Sequence, residues 1–232
     1  MPDFLFPPTP LATIPVRGQS VVLAPERLFC IGRNYADHAA EMGAEIVREK
    51  PFFFLKSPHA IMRDGGEIPF PPETKNYHYE MELAVVLGRG GFRIDAAAAR
   101  DHVFGYACAL DMTRRDLQLD ARNMGRPWDS GKDVEHSAIL GSVVPRDAAG
   151  PIDRADIGLI QNDTIRQDGR IDGMIWGIDE LIALLSRYYH LRPGDVILTG
   201  TPAGVGPVAP GDQLIGRITG LPDLHVKLGA PE

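Results

Sequence analysis

Glu80 and Glu82 stand two residues apart in the run His78-Tyr-Glu-Met-Glu-Leu83. Residues two apart on a β-strand project to the same face, so both carboxylates and His78 share one side, while Tyr79, Met81 and Leu83 occupy the other. Asp111 closes a second apolar run, Val103 to Asp111, where a side chain can stand at the rim of a sheet. If those strand ends meet, three carboxylates converge. At ~4 Å and an effective dielectric near 20, each like-charge pair costs about 4 kcal/mol, so such a cluster must take up protons or hold a cation. Ligation by oxygen alone favours Mg2+, Mn2+ or Ca2+ over zinc. The plainer alternative is the solvated face of a half-exposed antiparallel strand.

Other polar residues are set where they can serve such a cluster. His38 and Glu41 are three apart in a helical stretch running from Asn34 to Gly43, and so lie on one face. A carboxylate beside an imidazole fixes its tautomer and raises its basicity, which suits a general base acting on water; a surface helical pair is the alternative. Lys132, in Ser130-Gly-Lys-Asp133, and Lys56, after the apolar Phe52 to Leu55, are cations able to meet a substrate carboxylate or simply to solubilise. Gln118 follows Asp111 by seven positions, two helical turns if a helix starts promptly, and can face the same pocket. The loop Gly200-Thr-Pro-Ala-Gly-Val-Gly206 offers backbone N–H groups and the Thr201 hydroxyl to an anion. It is no phosphate-binding Walker loop, because no Gly-Lys-Ser/Thr follows, and the dinucleotide glycine spacing is absent. Neither a His-Glu-x-x-His zinc motif nor a Gly-x-Ser-x-Gly nucleophile turn occurs.

The elements that position these residues are mostly strands. The 232-residue chain carries 25 glycines and 20 prolines, which punctuate short apolar runs. Strand patterns cover Leu28 to Gly32, Phe52 to Leu55 (as a buried strand), Tyr77 to Leu87, Val103 to Asp111, Val196 to Leu198 and a pair within Gln213 to Leu228. Ile157 to Arg170 reads as a hairpin turning at Asn162-Asp163. Helical patterns cover Asp95 to His102, Thr113 to about Met124 and Ile178 to Tyr189. Strands outnumber helices and do not alternate with them regularly, so the expected class is α+β, mostly β, as a mixed and largely antiparallel roll. Prolines 7, 8, 10, 15 and 25 make residues 1–27 an extended arm ahead of a single domain over 28–232. The net charge of −7 argues against nucleic-acid or anionic-membrane partners. Cys30 and Cys108 lack metal-binding spacing and read as buried thiols of a reducing compartment, here the cytoplasm. No stretch approaches the ~18 apolar residues of a membrane span.

Five segments together resemble the fumarylacetoacetate hydrolase family: Gly32-Arg-Asn-Tyr-Ala-Asp-His38, Phe54-Leu-Lys-Ser57, His78-Tyr-Glu-Met-Glu-Leu83, Leu110-Asp-Met-Thr-Arg-Arg-Asp116 and Leu198-Thr-Gly-Thr-Pro-Ala-Gly-Val-Gly206. Within the family the likeness is to the small acylpyruvases, and the segments around Asp111 to Gln118 and Gly125-Arg-Pro-Trp128 are most similar to fumarylpyruvate hydrolases. The resemblance implies a mixed β-sandwich roll with a barrel-like core, a short lid helix and a homodimer. It implies Glu80, Glu82 and Asp111 as ligands of Mg2+ or Mn2+, His38 and Glu41 as the water-activating pair on the lid, and Lys132 as the cation holding an enolate. It places Lys56, Gln118 and Thr201 around substrate, with Arg33 in the matching Gly-Arg motif. The implied reaction is cleavage of the C3–C4 bond of a 2,4-dioxo acid, fumarylpyruvate first, whose distal carboxylate needs a cation such as Arg114 or Arg126. The alternatives are oxaloacetate decarboxylation, keto-acid isomerisation or hydration on the same site, or a non-catalytic metabolite-binding protein.

Overall fold

The computed structural model describes residues 4–7, 9–10, 12–36 and 50–231. In chain order the strands are β1 (Ile14–Pro15), β2 (Val22–Leu23), β3 (Leu28–Gly32), β4 (Phe52–Lys56), β5 (Ile61–Arg63), β6 (Gly66–Phe70), β7 (Tyr77–Tyr79), β8 (Met81–Leu87) and β9 (Val103–Asp111). They continue with β10 (Thr113–Arg114), β11 (Ala138–Leu140), β12 (Val144–Pro145), β13 (Asp156–Gln161), β14 (Thr164–Arg170), β15 (Val196–Leu198), β16 (Gly206–Pro207), β17 (Gln213–Ile218) and β18 (Leu224–Pro231). Among the described residues the α-helices are α1 (Ala96–Ala99), α2 (Arg115–Asn123), α3 (Asp129–Lys132) and α4 (Ile178–Tyr188).

An eight-stranded sheet, in the order β4-β3-β15-β8-β9-β11-β5 with β12 also on β9, curls into a half-barrel. A five-stranded sheet, β14-β13-β17-β18-β6, packs beside it, and a small three-stranded sheet, β10-β7-β16, joins them. Pairing is mostly antiparallel, with β3 on β15, β5 on β11 and β6 on β18 parallel. The mostly β, mixed architecture is as the sequence leads one to expect.

Two cores explain the patterning of the central strands. Met81, Leu83 and Val85 of β8 join Leu110 and Cys108 of β9 in the core shared with Leu159, Leu214 and Val226 of the five-stranded sheet. Their alternates, Ala84, Val86, Ala107 and Ala109, face the other way onto Leu28, Cys30, Val196 and Leu198. All seven residues of β8 are therefore buried, and the solvated-face alternative for Glu82 does not hold. Ile14 and Val16 lie in the second core, held by hydrogen bonds from Arg17 N–H to Val143 O at 2.8 Å and from Val143 N–H to Pro15 O at 2.9 Å.

Two local expectations need correction. The run Tyr77 to Leu87 is not one strand: it passes between sheets at Glu80, where β7 ends and β8 begins. The Phe52 strand is only partly covered, Phe52 and Leu55 being 37% and 38% exposed, because β4 is the edge of its sheet. Cys30 and Cys108 are free and buried.

Candidate active site

The pairing of β8 with β9 brings the carboxylates together. Met81 is registered with Leu110 and Glu82 with Ala109, while Asp111 N–H donates to Glu80 O at 2.9 Å. Glu80 and Asp111 are thus cross-strand neighbours, and Glu82 is one pleat further along the same face. One oxygen from each of Glu80, Glu82 and Asp111 lies within 4.8 Å of the others, and all three residues are buried.

Three cations surround the cluster. Lys132 Nζ donates to Glu80 Oε2 at 2.7 Å and to Asp111 Oδ2 at 2.8 Å. Burial works against its charge, but Asp111 and Glu80 outweigh it and hold the ammonium above the ordinary lysine pKa. Arg115 Nη2 donates to Glu80 Oε1, its Nη1 to Gln118 Oε1 at 2.5 Å, and its Nε reaches His78 Nδ1 at 3.5 Å. Burial and Arg115 push the His78 imidazole down to about 4, so it is a neutral acceptor at physiological pH. Lys56 Nζ sits 2.8 Å from Asp111 Oδ1, but its three N–H groups go to Met112 O, Ser137 O and Ser137 Oγ. Asp111 Oδ1 is therefore buried with a charge contact and no hydrogen bond.

That orphaned oxygen suits a cation, and so does Glu82. Its Oε2 accepts from Gly200 N–H at 2.7 Å, yet burial, Asp111 and Glu80 drive its pKa well above the usual carboxylate range. Hard carboxylate oxygens, one lacking a hydrogen bond and one poised to take a proton, fit Mg2+ or Mn2+.

Two glycines permit this packing. Gly200 holds φ +95°, which turns its N–H toward Glu82. A Cβ on Gly131 would come within 2.7 Å of Gln118 N, so only glycine lets α3 lie close enough to α2 for Lys132 to reach the carboxylates.

The cluster opens into a cavity. Gln118, Thr201 and Arg33 line it, together with Glu80, Glu82, Asp111 and Lys132. Gln118 has its carbonyl occupied by Arg115, so its two N–H donors remain for the cavity. Arg33 sits at φ 55° with its guanidinium 5.8 Å from the Phe52 ring centroid. Phe52 and Phe54 in turn pack on Trp128, at 5.0 and 5.9 Å, building an aromatic wall.

Three residues expected at the substrate, Lys56, Arg114 and Arg126, do not line the cavity. Lys56 is buried behind Asp111 with every donor committed, so it positions that carboxylate and does not reach the cavity. Arg114 precedes the helix in β10, with Nη1 3.4 Å from Ser130 O, and Arg126 is likewise absent from the lining. The sequence pattern starts the helix at Thr113, which would align Arg114 with Gln118. The real start at Arg115 leaves Arg114 extended and puts Arg115, Gln118 and Arg122 on the cavity face. Arg115, Arg122 and Trp128 were not identified from the sequence as site residues, although the i, i+3, i+7 spacing of the first two about Gln118 carries the signal. His38 and Glu41 lie outside the described residues. Asn34, just before them, is anchored by its side-chain N–H groups to Thr199 O at 2.8 Å and Trp176 O at 3.0 Å.

The chain is 46% identical over 184 residues to a fumarylpyruvate hydrolase from Ralstonia sp., covering 79% of this chain and 95% of that protein. It is 39% identical over 207 residues to the mitochondrial oxaloacetate tautomerase FAHD1 of Homo sapiens, covering 89% of this chain and 93% of that protein. The crystal structure of fumarylpyruvate hydrolase from Pseudomonas aeruginosa, in complex with Mn2+ and pyruvate, superposes with a TM-score of 0.95 at 43% identity, covering 98% of this chain and all of that one. Residues 27–228 match the family described as fumarylacetoacetate (FAA) hydrolase C-terminal, and the chain belongs to the fumarylacetoacetate hydrolase family.

Proposed function

We propose that this chain is a divalent-metal-dependent hydrolase that cleaves the C3–C4 bond of a 2,4-dioxo acid, with fumarylpyruvate, giving fumarate and pyruvate, as its substrate. The observation that carries this reading is the buried Glu80–Glu82–Asp111 cluster, which opens into a cavity whose other polar wall offers cations and hydrogen-bond donors. The likeness to a fumarylpyruvate hydrolase solved with Mn2+ and pyruvate supports it.

Glu80, Glu82 and Asp111 would hold Mg2+ or Mn2+, which as a Lewis acid polarises the oxygens of a bound 2-oxo acid. Around that centre the chain's own residues act on substrate. Gln118 and Thr201 donate to its carboxylate end, and Arg122, with Arg33, meets a second carboxylate at the far end. That role passes from Arg114 and Arg126 to Arg122 because Arg122 lines the cavity and they do not. His38, oriented by Glu41, takes a proton from water as its oxygen bonds to C4. The C3–C4 bond then breaks with its electron pair moving to C3 and on to the C2 oxygen. Lys132, at the carboxylate cluster, stabilises that enolate charge in a site largely shielded from water. Return of the proton to C3 completes pyruvate.

The same reading takes one catalytic domain over residues 28–232 with the arm 1–27, a homodimer as the working assembly, and the cytoplasm as the compartment. The two free, buried thiols support a reducing environment. A second reading, keto–enol interconversion or decarboxylation of oxaloacetate, uses the carboxylates and Lys132 without an attacking water. The 39% identity to the human oxaloacetate tautomerase supports the interconversion.

The deciding experiment follows enol absorbance with Mg2+ or Mn2+ for fumarylpyruvate and acetylpyruvate, with oxaloacetate in parallel, pyruvate quantified and a chelator control. Chelator-sensitive loss of fumarylpyruvate with stoichiometric pyruvate is the expected result. Brisk turnover of oxaloacetate with no diketo-acid cleavage would replace the hydrolase by the second reading.

A further inference from the structure

Gln167 is the one buried residue of β14, an outer strand whose other side chains are exposed or half-exposed, and it is 1% exposed. Its Oε1 accepts from Met81 N–H at 3.0 Å, and its Nε2 donates to Thr201 Oγ1 at 2.8 Å and to Pro202 O at 2.9 Å. The amide orientation is unambiguous, because a backbone N–H can only donate and a proline carbonyl can only accept. Both N–H groups are thereby assigned, and Thr201 Oγ1 must be an acceptor toward Gln167. Among the described residues the Thr201 hydroxyl makes no hydrogen bond besides that from Gln167, and Thr201 lines the cavity beside the carboxylate cluster.

We propose that Gln167 is a positioning residue: it occupies the acceptor side of the Thr201 hydroxyl and so turns its hydrogen into the cavity, as a donor for an anionic oxygen of the substrate. Arg115 does the same for Gln118 by occupying its carbonyl, so both neutral polar groups turn a donor toward the cavity. The wall then favours a carboxylate or enolate oxygen over a group that must itself donate. This inference rests on the proposed reading that substrate occupies the cavity.

The test is a double-mutant cycle on binding of oxalate, a planar stand-in for the 2-oxo acid, measured by calorimetry with saturating Mn2+. The variants are Gln167→Glu, Thr201→Val and the two combined. Gln167→Glu keeps an acceptor for Met81 N–H but turns the arm toward Thr201 from donor to acceptor. The hydroxyl then donates to it and shows lone pairs to the cavity. Oxalate affinity is expected to fall about tenfold in Gln167→Glu, with no further fall when Gln167→Glu is added to Thr201→Val. Oxalate is titrated at Mn2+ concentrations that saturate each variant, because Gln167→Glu places a carboxylate against Met81, between Glu80 and Glu82. An equal loss in the Thr201→Val background overturns the proposal, since Gln167 would then act through β8. If Gln167→Glu does not fold, Gln167→Met frees the hydroxyl rotor, with an expected loss of about threefold that again vanishes with Thr201→Val. Failure of the unaltered protein to bind oxalate at all refutes the cavity reading itself, and the proposal with it.

Discussion

Replacing Lys56 by Met separates a structural cation from a substrate-binding one. The side chain keeps nearly the same length and loses its charge. Its three hydrogen bonds, at 2.9, 2.9 and 2.8 Å, leave Met112 O and Ser137 O without that partner, and Asp111 loses a cation 2.8 Å away. Removing one member of a buried ion pair costs about 3–5 kcal/mol. For a chain of this size each kcal/mol moves Tm by about 2–4 °C, so the metal-free variant should melt roughly 6–20 °C lower. The three carboxylates would then face two cations, Lys132 and Arg115, in place of three. A bound divalent ion relieves that excess, so Mn2+ should raise Tm by more in Lys56→Met than in the unaltered protein. Thermal unfolding followed by circular dichroism, with EDTA and with Mn2+ added after its removal, reads both effects. A variant melting within about 2 °C of the unaltered protein while its KM rises would refute this placement and return Lys56 to the substrate.

Arg122→Leu should raise KM for fumarylpyruvate by about tenfold or more, the worth of a charge-assisted hydrogen bond, and leave acetylpyruvate nearly unaffected; steady-state kinetics on the two substrates makes the comparison. His38→Ala should abolish turnover while calorimetric Mn2+ binding survives, and parallel loss of both would remove His38 from water activation. Chelation should lower the stability of the metal-loaded protein: at a free-ion concentration about one hundred times Kd, binding contributes about 2.7 kcal/mol, visible as a fall in Tm on adding EDTA. Burial of the Asp212 carboxyl is outweighed by hydrogen bonds from Ala209 N–H, Asn162 and Gln161, which hold its pKa below the ordinary value of 3.8. The unfolded state thus binds the proton more readily, and the contribution is fully present above the ordinary value and lost as pH falls through the lowered one. Asp212→Asn should therefore flatten the acid limb of a stability–pH curve measured by urea titration below about pH 4.

Much of the site could be read from local chemistry. Glu80 and Glu82 are two apart on a strand whatever the strand packs against, so their shared face follows from backbone geometry. The apolar runs ending at Asp111 and Leu198, the turn at Asn162-Asp163 and the helix from Ile178 are likewise local consequences of residue type and spacing. The segments that resemble the fumarylacetoacetate hydrolase family are short and linear, so they survive without any knowledge of pairing.

What spacing could not supply was decided by partners distant in the chain. Asp111 meets Glu80 only because β9 pairs antiparallel with β8 in one register. The division of cations among the carboxylates depends on which ammonium finds carbonyl oxygens: Lys56 is claimed by Met112 and Ser137, and Lys132 is left to Glu80 and Asp111. A shift of two residues in the start of α2 moved the cavity arginines from position 114 to 115 and 122, since pairing of β10 with β7 keeps Thr113 and Arg114 extended. Gln167 looks like any polar strand residue until the fold lays it between Met81 and Thr201. Side-chain type is written locally. The direction in which a donor points is a property of the packed network.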